Sequence, residues 1–213
     1  MKYARYLKFT IGNVPIENEY YSEGNIEKVV GVLQEISADV VILQEFYHPS
    51  DVTRIQTKLR YAHHLLVDAW YHKHSIAVIA NADIEIVDGT REFTILTVND
   101  NYIVPIHLNS FSPEKRFGQV KILSEIIKEY GKVIIAGDTN FWIIGKRFLS
   151  NTDRRSYELL TNYTSDTSAG LATTYFGTSM DKIFITEHCS VRSKVVRERG
   201  AYMDHYPIYA EIS

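Results

Sequence analysis

Two polar residues, Asp138 and Asn140, follow directly after an apolar run in the segment "KVIIAGDTNF". The run is rich in β-branched residues and is typical of a buried β-strand. Because the two residues are two positions apart, their side chains would point the same way from an extended chain. A carboxylate and an amide aimed together from a strand end can hold a water molecule and a ligand, which indicates a site at one edge of a sheet.

Other strand-like segments also end in polar side chains. These residues are Asn13 in "FTIGN", Glu45 in "VVILQE", His107 in "YIVPIH", and Asp204 and His205 in "MDHYPI". Each has a structural interpretation when it is taken alone, since Asp138 could start a turn, His107 could be a hydrogen-bonded core histidine, and Asp204 could cap a turn. Taken together, the three carboxylates, two histidines and two asparagines are the ingredients of metal-assisted hydrolysis.

Strands and helices that would position these residues can be predicted from hydrophobic periodicity. Strand-like segments are "YLKFTI", "DVVILQ", "HSIAVIA", "EFTILTV", "YIVPIHL", "KVIIAGD", "SMDKIFIT" and "YPIYAEI". Two segments have helical periodicity, "SEGNIEKVVGVLQEIS" and "PEKRFGQVKILSEIIKEYG", the second between Pro113 and Gly131. This mixture favours a mixed sheet, or paired sheets, faced by helices. Because the chain has no linker-like segment and no repeat, we expect one domain over residues 1–213.

Composition excludes several classes of protein. The chain has 213 residues, of which 45% are hydrophobic and 23% charged, with a formal net charge of −3, so disorder is not indicated and a global basic excess is absent. A single cysteine, Cys189, excludes an internal disulfide framework and a cysteine-rich zinc site. No segment approaches 18 apolar residues, so we predict neither a signal peptide nor a membrane span. We expect a cytoplasmic, monomeric protein.

The order of these motifs resembles the endonuclease/exonuclease/phosphatase family, which includes deoxyribonuclease-like enzymes. The motifs are the first-strand asparagine Asn13, "LQE", "IHLNS", the helix with Arg116 and Gln119, "IAGDTN", "MDKIFI" with Asp181, and "MDHYPI". The resemblance implies an α/β fold, a four-layered α/β/β/α sandwich of two mixed sheets flanked by helices. It also implies that the site lies at one end of the two packed sheets.

The resemblance further implies roles for the strand-end residues. Glu45 would be a principal ligand of Mg²⁺ or Mn²⁺, with Asn13 and Asp204 near the same ion. Asp138 would orient or deprotonate the attacking water, and Asn140 would help to position it. His205 would contact the phosphate while paired with Asp181, and His107 would be a second phosphate-facing or general-acid histidine. Glu92 is our hypothesis for the carboxylate that orients His107, and a surface role for Glu92 is an equal alternative.

The substrate is less sharply defined. "IHLNS" places the chain with the histidine-bearing members of the family, and "GDTN" looks most like the tyrosyl-DNA phosphodiesterase 2 branch. Basic residues and one tryptophan follow the site motifs and could bind single-stranded or end-bearing DNA: Arg116, Trp142, Lys146, Arg147, Arg154 and Arg155. Solvated surface charges are the alternative for this set. A phosphatase or phosphodiesterase for inositol or lipid phosphates, and a non-catalytic binding module, are the competing functions.

Overall fold

Two six-stranded sheets form the centre of the protein. The computed structural model describes residues 7–13, 23–46, 49–68, 75–186, 191–197 and 205–212. With elements numbered in chain order, the first sheet has the order β13 (Val191–Val195), β14 (Ile208–Ile212), β1 (Leu7–Asn13), β2 (Val40–Phe46), β4 (Ser75–Ala80) and β3 (His63–Asp68). The second sheet has the order β11 (Ser165–Asp166), β12 (Asp181–Ile185), β8 (Val133–Asp138), β7 (Asn101–His107), β6 (Thr94–Val98) and β5 (Ile84–Gly89).

Helices cover the outer faces of both sheets. The helices are α1 (Glu23–Ile36), α2 (Pro49–Leu59), α3 (Pro113–Tyr130) and α4 (Asn151–Thr161), and a small hairpin consists of β9 (Ile143–Ile144) and β10 (Arg147–Phe148). Apolar side chains of α1 and α2 pack on the first sheet, and those of α3 and α4 pack on the second. A third apolar cluster, which includes Ile42, Ala136 and Ile183, lies between the sheets. The predicted four-layered α/β/β/α sandwich is confirmed.

Alternation along the central strands explains this layering. In β2, Val40 and Ile42 face the second sheet, whereas Val41 and Leu43 face the helices α1 and α2. Strands that are buried on both faces read as continuous apolar runs, which is why β2 was visible in the sequence. The strands β4, β7, β8 and β12 are apolar runs for the same reason. All eight predicted strand segments and both predicted helices are present.

Two helices, α2 and α4, were not predicted from the sequence. In α2 the apolar side chains that are buried are Val52 and Ile55, and in α4 the only buried apolar side chain is Leu160. Such a thin apolar stripe gives a weak periodic signal, although it is enough to attach a short helix to a sheet. In α4 the stripe is extended by buried polar residues, among them Asp153.

A buried polar network attaches α4 and β11 to β12. The ammonium of Lys182 lies 3.3 Å from Asp166 Oδ2 and donates a 2.7 Å hydrogen bond to Ser179 Oγ. Tyr157 of α4 donates a 3.0 Å hydrogen bond to Asp166 Oδ2. Burial, followed by the neighbouring Asp166 carboxylate, raises the pKa of the Tyr157 hydroxyl, so this group stays a hydrogen-bond donor. The network fixes the strand that begins with the site residue Asp181.

No helix in the described part of the chain is long and apolar enough to cross a membrane.

Candidate active site

Three neighbouring strands of the second sheet bring polar side chains into one row. His107 at the end of β7 pairs with Asp138 at the end of β8, and Asp138 pairs with Asp181 at the start of β12. Residues paired in register project from the same face of a sheet, and here that face points toward the first sheet. His205, just before β14, extends the row because its Nδ1 lies 2.8 Å from Asp181 Oδ2. The row unites four residues that are far apart in the sequence.

Glu45 reaches this row from the first sheet because β2 is irregular at its end. In a regular strand Glu45 would follow Val41 and Leu43 toward the helices. The register of β2 against β4 shifts between Leu43 and Phe46, and the backbone of Glu45 is left-handed with φ +65°. The bulge redirects the side chain, so Glu45 Oε1 lies 3.9 Å from His107 Nε2. Asp138 Oδ2 lies 3.8 Å from the same nitrogen, which places His107 between two carboxylates.

The segment after β8 holds Asp138 and Asn140 in fixed orientations. The backbone N–H of Asn140 donates a 2.6 Å hydrogen bond to Asp138 Oδ1, and the Asn140 side-chain amide donates a 2.9 Å bond to the carbonyl of Leu108. Thr139 points away from this pair and donates a 2.6 Å bond to the carbonyl of Met180. The expectation that residues 138 and 140 share a direction agrees with the cleft, which both of them line.

A cleft of about 320 Å³ lies above this row. Its lining comprises Glu45, His107, Ser110, Asp138, Asn140, Trp142, Thr174, Phe176, Thr178, Met180 and His205. The base of the cleft is polar, and its mouth carries exposed aromatic residues. We call four exposed residues the aromatic rim: Trp142 and Phe176 line the cleft, Tyr175 contacts Phe176, and Phe111 follows the lining residue Ser110 in the chain.

The side chains of the aromatic rim are largely apolar, yet they are exposed to solvent. Phe111 is 89% exposed and Phe176 is 81% exposed, while Trp142 is 46% exposed. Tyr175 and Phe176 contact each other edge to face, with ring centroids 5.7 Å apart. Exposed aromatic side chains at a cleft are characteristic of a binding surface.

Several predicted site residues lie at the margin of the described structure. For Asn13 the backbone is described, and it pairs with Gln44 at the end of β1, the same sheet edge that carries Glu45. Asp204, the other predicted metal ligand of this set, lies outside the described residues. Lys146 and Arg147 are exposed on the β9–β10 hairpin and do not line the cleft.

Glu92 occupies the turn between β5 and β6 and is partly buried. If the register of β6 with β7, in which Leu96 pairs with Ile103, is extended past the strand end, Glu92 falls opposite His107. Its Oε2 atom is buried without a hydrogen-bond partner among the described residues. The pairing of Glu92 with His107 remains a hypothesis.

Arg116 is buried in an ion pair, and its contact with substrate stays a prediction. Its side chain is 2% exposed and does not line the cleft. The guanidinium donates two 2.8 Å hydrogen bonds to the carboxylate of Asp153 on α4 and a third, also 2.8 Å, to the carbonyl of Asn109. Gln119 accepts a 2.8 Å bond from the N–H of Asn109. This pair of residues anchors the loop after His107. Arg155 is likewise away from the cleft, over the ring of Phe117.

We expect Arg116→Leu to destabilise the protein by about 3–5 kcal/mol, because it leaves the buried Asp153 carboxylate without its cation. Urea denaturation measures this loss. Arg154→Leu is the matched control, since Arg154 is exposed and its 3.8 Å pair with Glu158 lies on the surface. Equal stability of Arg116→Leu and the control would contradict the structural assignment of Arg116.

Three residues of the row form a compact group of candidate metal ligands. Ligand atoms of Asp138, Asp181 and His205 lie within 4.8 Å of one another. The hydrogen bond between His205 and Asp181 accounts for part of this closeness without an ion. Asp181 Oδ1, however, is buried with no hydrogen-bond partner in the part of the chain that is described. Such an atom is costly unless a cation or water satisfies it, and carboxylate oxygens are preferred ligands of Mg²⁺ and Mn²⁺.

Sequence reasoning missed several residues of the cleft. Thr174 and Phe176 come from a segment without strand or helix periodicity, "ATTYFGTS". The one available signal was the pair of aromatic residues, Tyr175 and Phe176, in a turn-like segment rich in threonine and glycine. Aromatic side chains there have no periodic face to bury, which is a sign of a binding role.

Comparisons with known proteins agree with this geometry. Residues 21–207 match the sequence profile of the Endonuclease/Exonuclease/phosphatase family. No curated protein matches the sequence significantly. Among solved structures, a humanized D. rerio TDP2 superposes with a TM-score of 0.75 at 19% identity, covering 98% of this chain and 99% of that chain.

Two further solved structures contain DNA. D. rerio TDP2 complexed with single strand DNA product has a TM-score of 0.72 at 18% identity, covering 98% of this chain and 99% of that chain. The 3′ phosphatase NExo from Neisseria, bound to a product DNA hairpin, has a TM-score of 0.73 at 18% identity, covering 97% and 99%. At these identities the likeness concerns the fold. The profile match spans most of the sequence, and the chain therefore belongs to the Endonuclease/Exonuclease/phosphatase family, whose members are metal-dependent phosphoric-ester hydrolases.

Proposed function

We propose that this protein hydrolyses phosphodiester bonds of nucleic acid with Mg²⁺ or Mn²⁺, and that it prefers unpaired strands or ends. The observation that carries the proposal is the cleft itself, in which a carboxylate and histidine row lies at the base of an aromatic rim. The base suits phosphate chemistry, and the rim suits the flat faces of unpaired bases.

In the proposed reaction the second sheet supplies the groups that handle protons. Asp138 orients the attacking water and accepts its proton, because one of its oxygens is held by the Asn140 N–H while the other faces His107. The Asn140 side chain is fixed by Leu108, which leaves little freedom for the groups around the water. Orientation of this kind lowers the entropic part of the barrier.

The two histidines act on the phosphate. Asp181 holds Nδ1 of His205, so Nε2 is the nitrogen that we assign to a phosphate oxygen. The carboxylate fixes the tautomer and stabilises a positive imidazolium, which counters charge that develops on the phosphate oxygens. His107, between Glu45 and Asp138, is assigned to the leaving oxygen as a proton donor.

Glu45, at the end of the first sheet, would hold the divalent cation, with Asn13 and Asp204 as the further ligands that the family resemblance implies. When bound there, the cation supplies charge stabilisation to the phosphoryl oxygens. This assignment is separate from the closely spaced Asp138, Asp181 and His205 group, in which the hydrogen bond between Asp181 and His205 already uses two ligand atoms.

The aromatic rim favours unpaired nucleic acid over a soluble inositol phosphate. Within the described residues, no lysine or arginine lines the cleft. A compound with several phosphate groups would require such cations, whereas a single phosphodiester flanked by bases requires one phosphate site and stacking surfaces. Lys146 and Arg147 are exposed on the hairpin that follows Trp142, and we assign them to the next phosphates of a bound strand.

A lipid phosphodiester is the second candidate, and one observation favours it. The β9–β10 hairpin exposes Ile144 (51%), Lys146 and Arg147, and the exposed Leu149 (56%) follows β10. Exposed apolar side chains with adjacent cations can bind the surface of an anionic membrane. Stacking on bases uses the aromatic rim, so the two candidates depend on different exposed residues.

We expect Trp142→Ala and Phe176→Ala each to raise KM for a single-stranded oligonucleotide roughly 5- to 150-fold, because loss of base stacking costs about 1–3 kcal/mol per base. Turnover of the small diester bis(p-nitrophenyl) phosphate should stay at the wild-type level. Steady-state kinetics on both substrates measures this. Ile86→Ala is the matched control, since Ile86 is 61% exposed on β5 and does not line the cleft.

A substrate panel with and without Mg²⁺ or Mn²⁺ tests the function. It contains single- and double-stranded DNA, RNA, a 5′-tyrosyl oligonucleotide, an inositol phosphate, and vesicles of a phosphodiester lipid. Metal-dependent cleavage of nucleic acid that falls steeply with rising salt supports the proposal. Release of product only from the vesicles would select the lipid candidate, and phosphate release only from the inositol compound would move the protein to the phosphatases. No turnover of any substrate would favour a binding module.

A further inference from the structure

A buried contact between the two sheets lies directly beneath the proposed site. The side-chain amide of Gln44 on β2 donates a short hydrogen bond to the carbonyl of Ile106 on β7. Gly137 of β8 lies against both groups. Each of these three residues immediately precedes a site residue, because Glu45, His107 and Asp138 follow them in the chain. One contact thus joins the three strands that present these side chains.

Gly137 makes this close approach possible. Its φ is +149°, and a Cβ atom at this position would collide with the carbonyl oxygen of Ile106 and with the Gln44 amide. Only glycine has neither the steric restriction nor the side chain, so the backbone of β8 can approach both. The contact therefore requires a specific residue on each of two strands, one in each sheet.

If Gln44 served only to fill space between the sheets, it would cost free energy that an apolar residue would not. Its side chain is fully buried, at 0% exposure, and Oε1 has no hydrogen-bond partner among the described residues. Val40 and Ile42, on the same face of β2, pack between the sheets as apolar side chains. An apolar residue of similar shape would fill the space without leaving a buried oxygen unsatisfied. The hydrogen bond to Ile106 is what an apolar residue could not supply.

We propose that Gln44 is a positioning residue that sets the distance and orientation of Glu45 relative to His107 and Asp138. This inference rests on the proposed function. Glu45 reaches the row only because β2 bulges between Leu43 and Phe46, and Gln44 is the residue at which that bulge is tied to the second sheet. Without the tie, the end of β2 can relax toward a regular strand, in which Glu45 would turn toward the helices.

The test measures metal binding in the absence of substrate. Mn²⁺ binding is followed by the loss of the free-ion signal in electron paramagnetic resonance, for wild type, Gln44→Met and Ile42→Val. Methionine keeps the length and volume of glutamine but cannot donate a hydrogen bond. Ile42→Val is the control for a small packing defect on the same strand and face, and urea denaturation confirms that all three proteins are folded.

We expect Gln44→Met to weaken Mn²⁺ binding by about 10- to 100-fold, as does loss of a group that orients a metal ligand, and Ile42→Val to bind as wild type does. In a Glu45→Gln background the added Gln44→Met change should have no further effect on binding, because Gln44 acts through Glu45. A Gln44→Met protein that binds Mn²⁺ as tightly as the control overturns the inference. An equal loss of Mn²⁺ affinity from Gln44→Met in the wild-type and Glu45→Gln backgrounds also overturns the inference.

The same experiment separates this inference from the proposed function. Wild-type protein that does not bind Mn²⁺ at all overturns the metal-dependent function and the inference together. Wild-type protein that binds Mn²⁺ and cleaves nucleic acid, while Gln44→Met retains wild-type affinity, overturns the inference alone. A folded Gln44→Met protein that needs more Mn²⁺ for the same cleavage rate supports both.

Discussion

Glu45→Ala is expected to lower metal-dependent hydrolysis by about 10³-fold or more. A bound cation supplies several kcal/mol of charge stabilisation, and each 1.4 kcal/mol corresponds to about tenfold in rate. Loss of the Glu45 carboxylate removes the ligand assigned to the end of the first sheet. The fold should survive, because Glu45 is partly exposed and alanine bears the same backbone cost as glutamate at φ +65°.

Initial rates over a range of Mn²⁺ concentrations distinguish two causes of lost activity in Glu45→Ala. Loss through weakened metal binding is partly recovered at high Mn²⁺, whereas loss of the geometry around His107 is not. Glu85→Ala is the matched control, because Glu85 is an exposed glutamate on β5 that does not line the cleft. Wild-type rates in a folded Glu45→Ala protein at limiting Mn²⁺ would overturn the role of Glu45.

Sheets faced by helices could be predicted because the central strands are buried on both faces, whereas the four layers were implied by the family resemblance. β2 and β8 read as continuous apolar runs, and their ends were recognisable as the abrupt change to Glu45 and Asp138. Strand-end residues of parallel neighbours meet at one sheet edge, so the sequence also indicated that His107 and Asp138 lie together, as their pairing in register shows. The order of motifs then indicated the family.

Contacts that depend on local irregularity could not be predicted. Periodicity assigns Glu45 to the face of β2 that packs on the helices, and only the bulge brings it to His107. Arg116 follows the site motifs in the sequence, but its guanidinium is used by Asp153 of α4, a helix whose thin apolar stripe gave no signal. A basic residue near a motif is therefore weak evidence for contact with a substrate.

The positions of the aromatic rim residues could be predicted only in part from the sequence. Trp142 could be found in the sequence because it stands two positions after the "GDTN" motif. Phe111 and Phe176 lie in loops whose conformation is set by distant contacts, such as the hydrogen bonds that Arg116 and Gln119 make with Asn109. The positions of such loops relative to the cleft depend on tertiary packing, which one sequence does not encode in any local pattern.

His205→Ala is the second change with a large expected effect. General acid and base groups, or charged groups at a developing oxyanion, contribute about 10²–10⁴-fold in rate, so we expect a loss of this size in kcat. Since His205 is held by the 2.8 Å bond to Asp181, Asp181→Asn should cause a similar but smaller loss by releasing the ring. The double variant should be no slower than His205→Ala, because Asp181 acts through the histidine.

This comparison requires that the loss be catalytic and not structural. His205 and Asp181 are both buried, so stability of each variant must be measured by thermal unfolding, and activity must be compared well below the midpoint. His64→Ala is the matched control, because His64 is an exposed histidine on β3 that hydrogen-bonds Gln56 at 2.7 Å. Additive losses from His205→Ala and Asp181→Asn would show that the two residues act independently. Asp181 would then be better assigned to the cation through its buried Oδ1 than to the histidine.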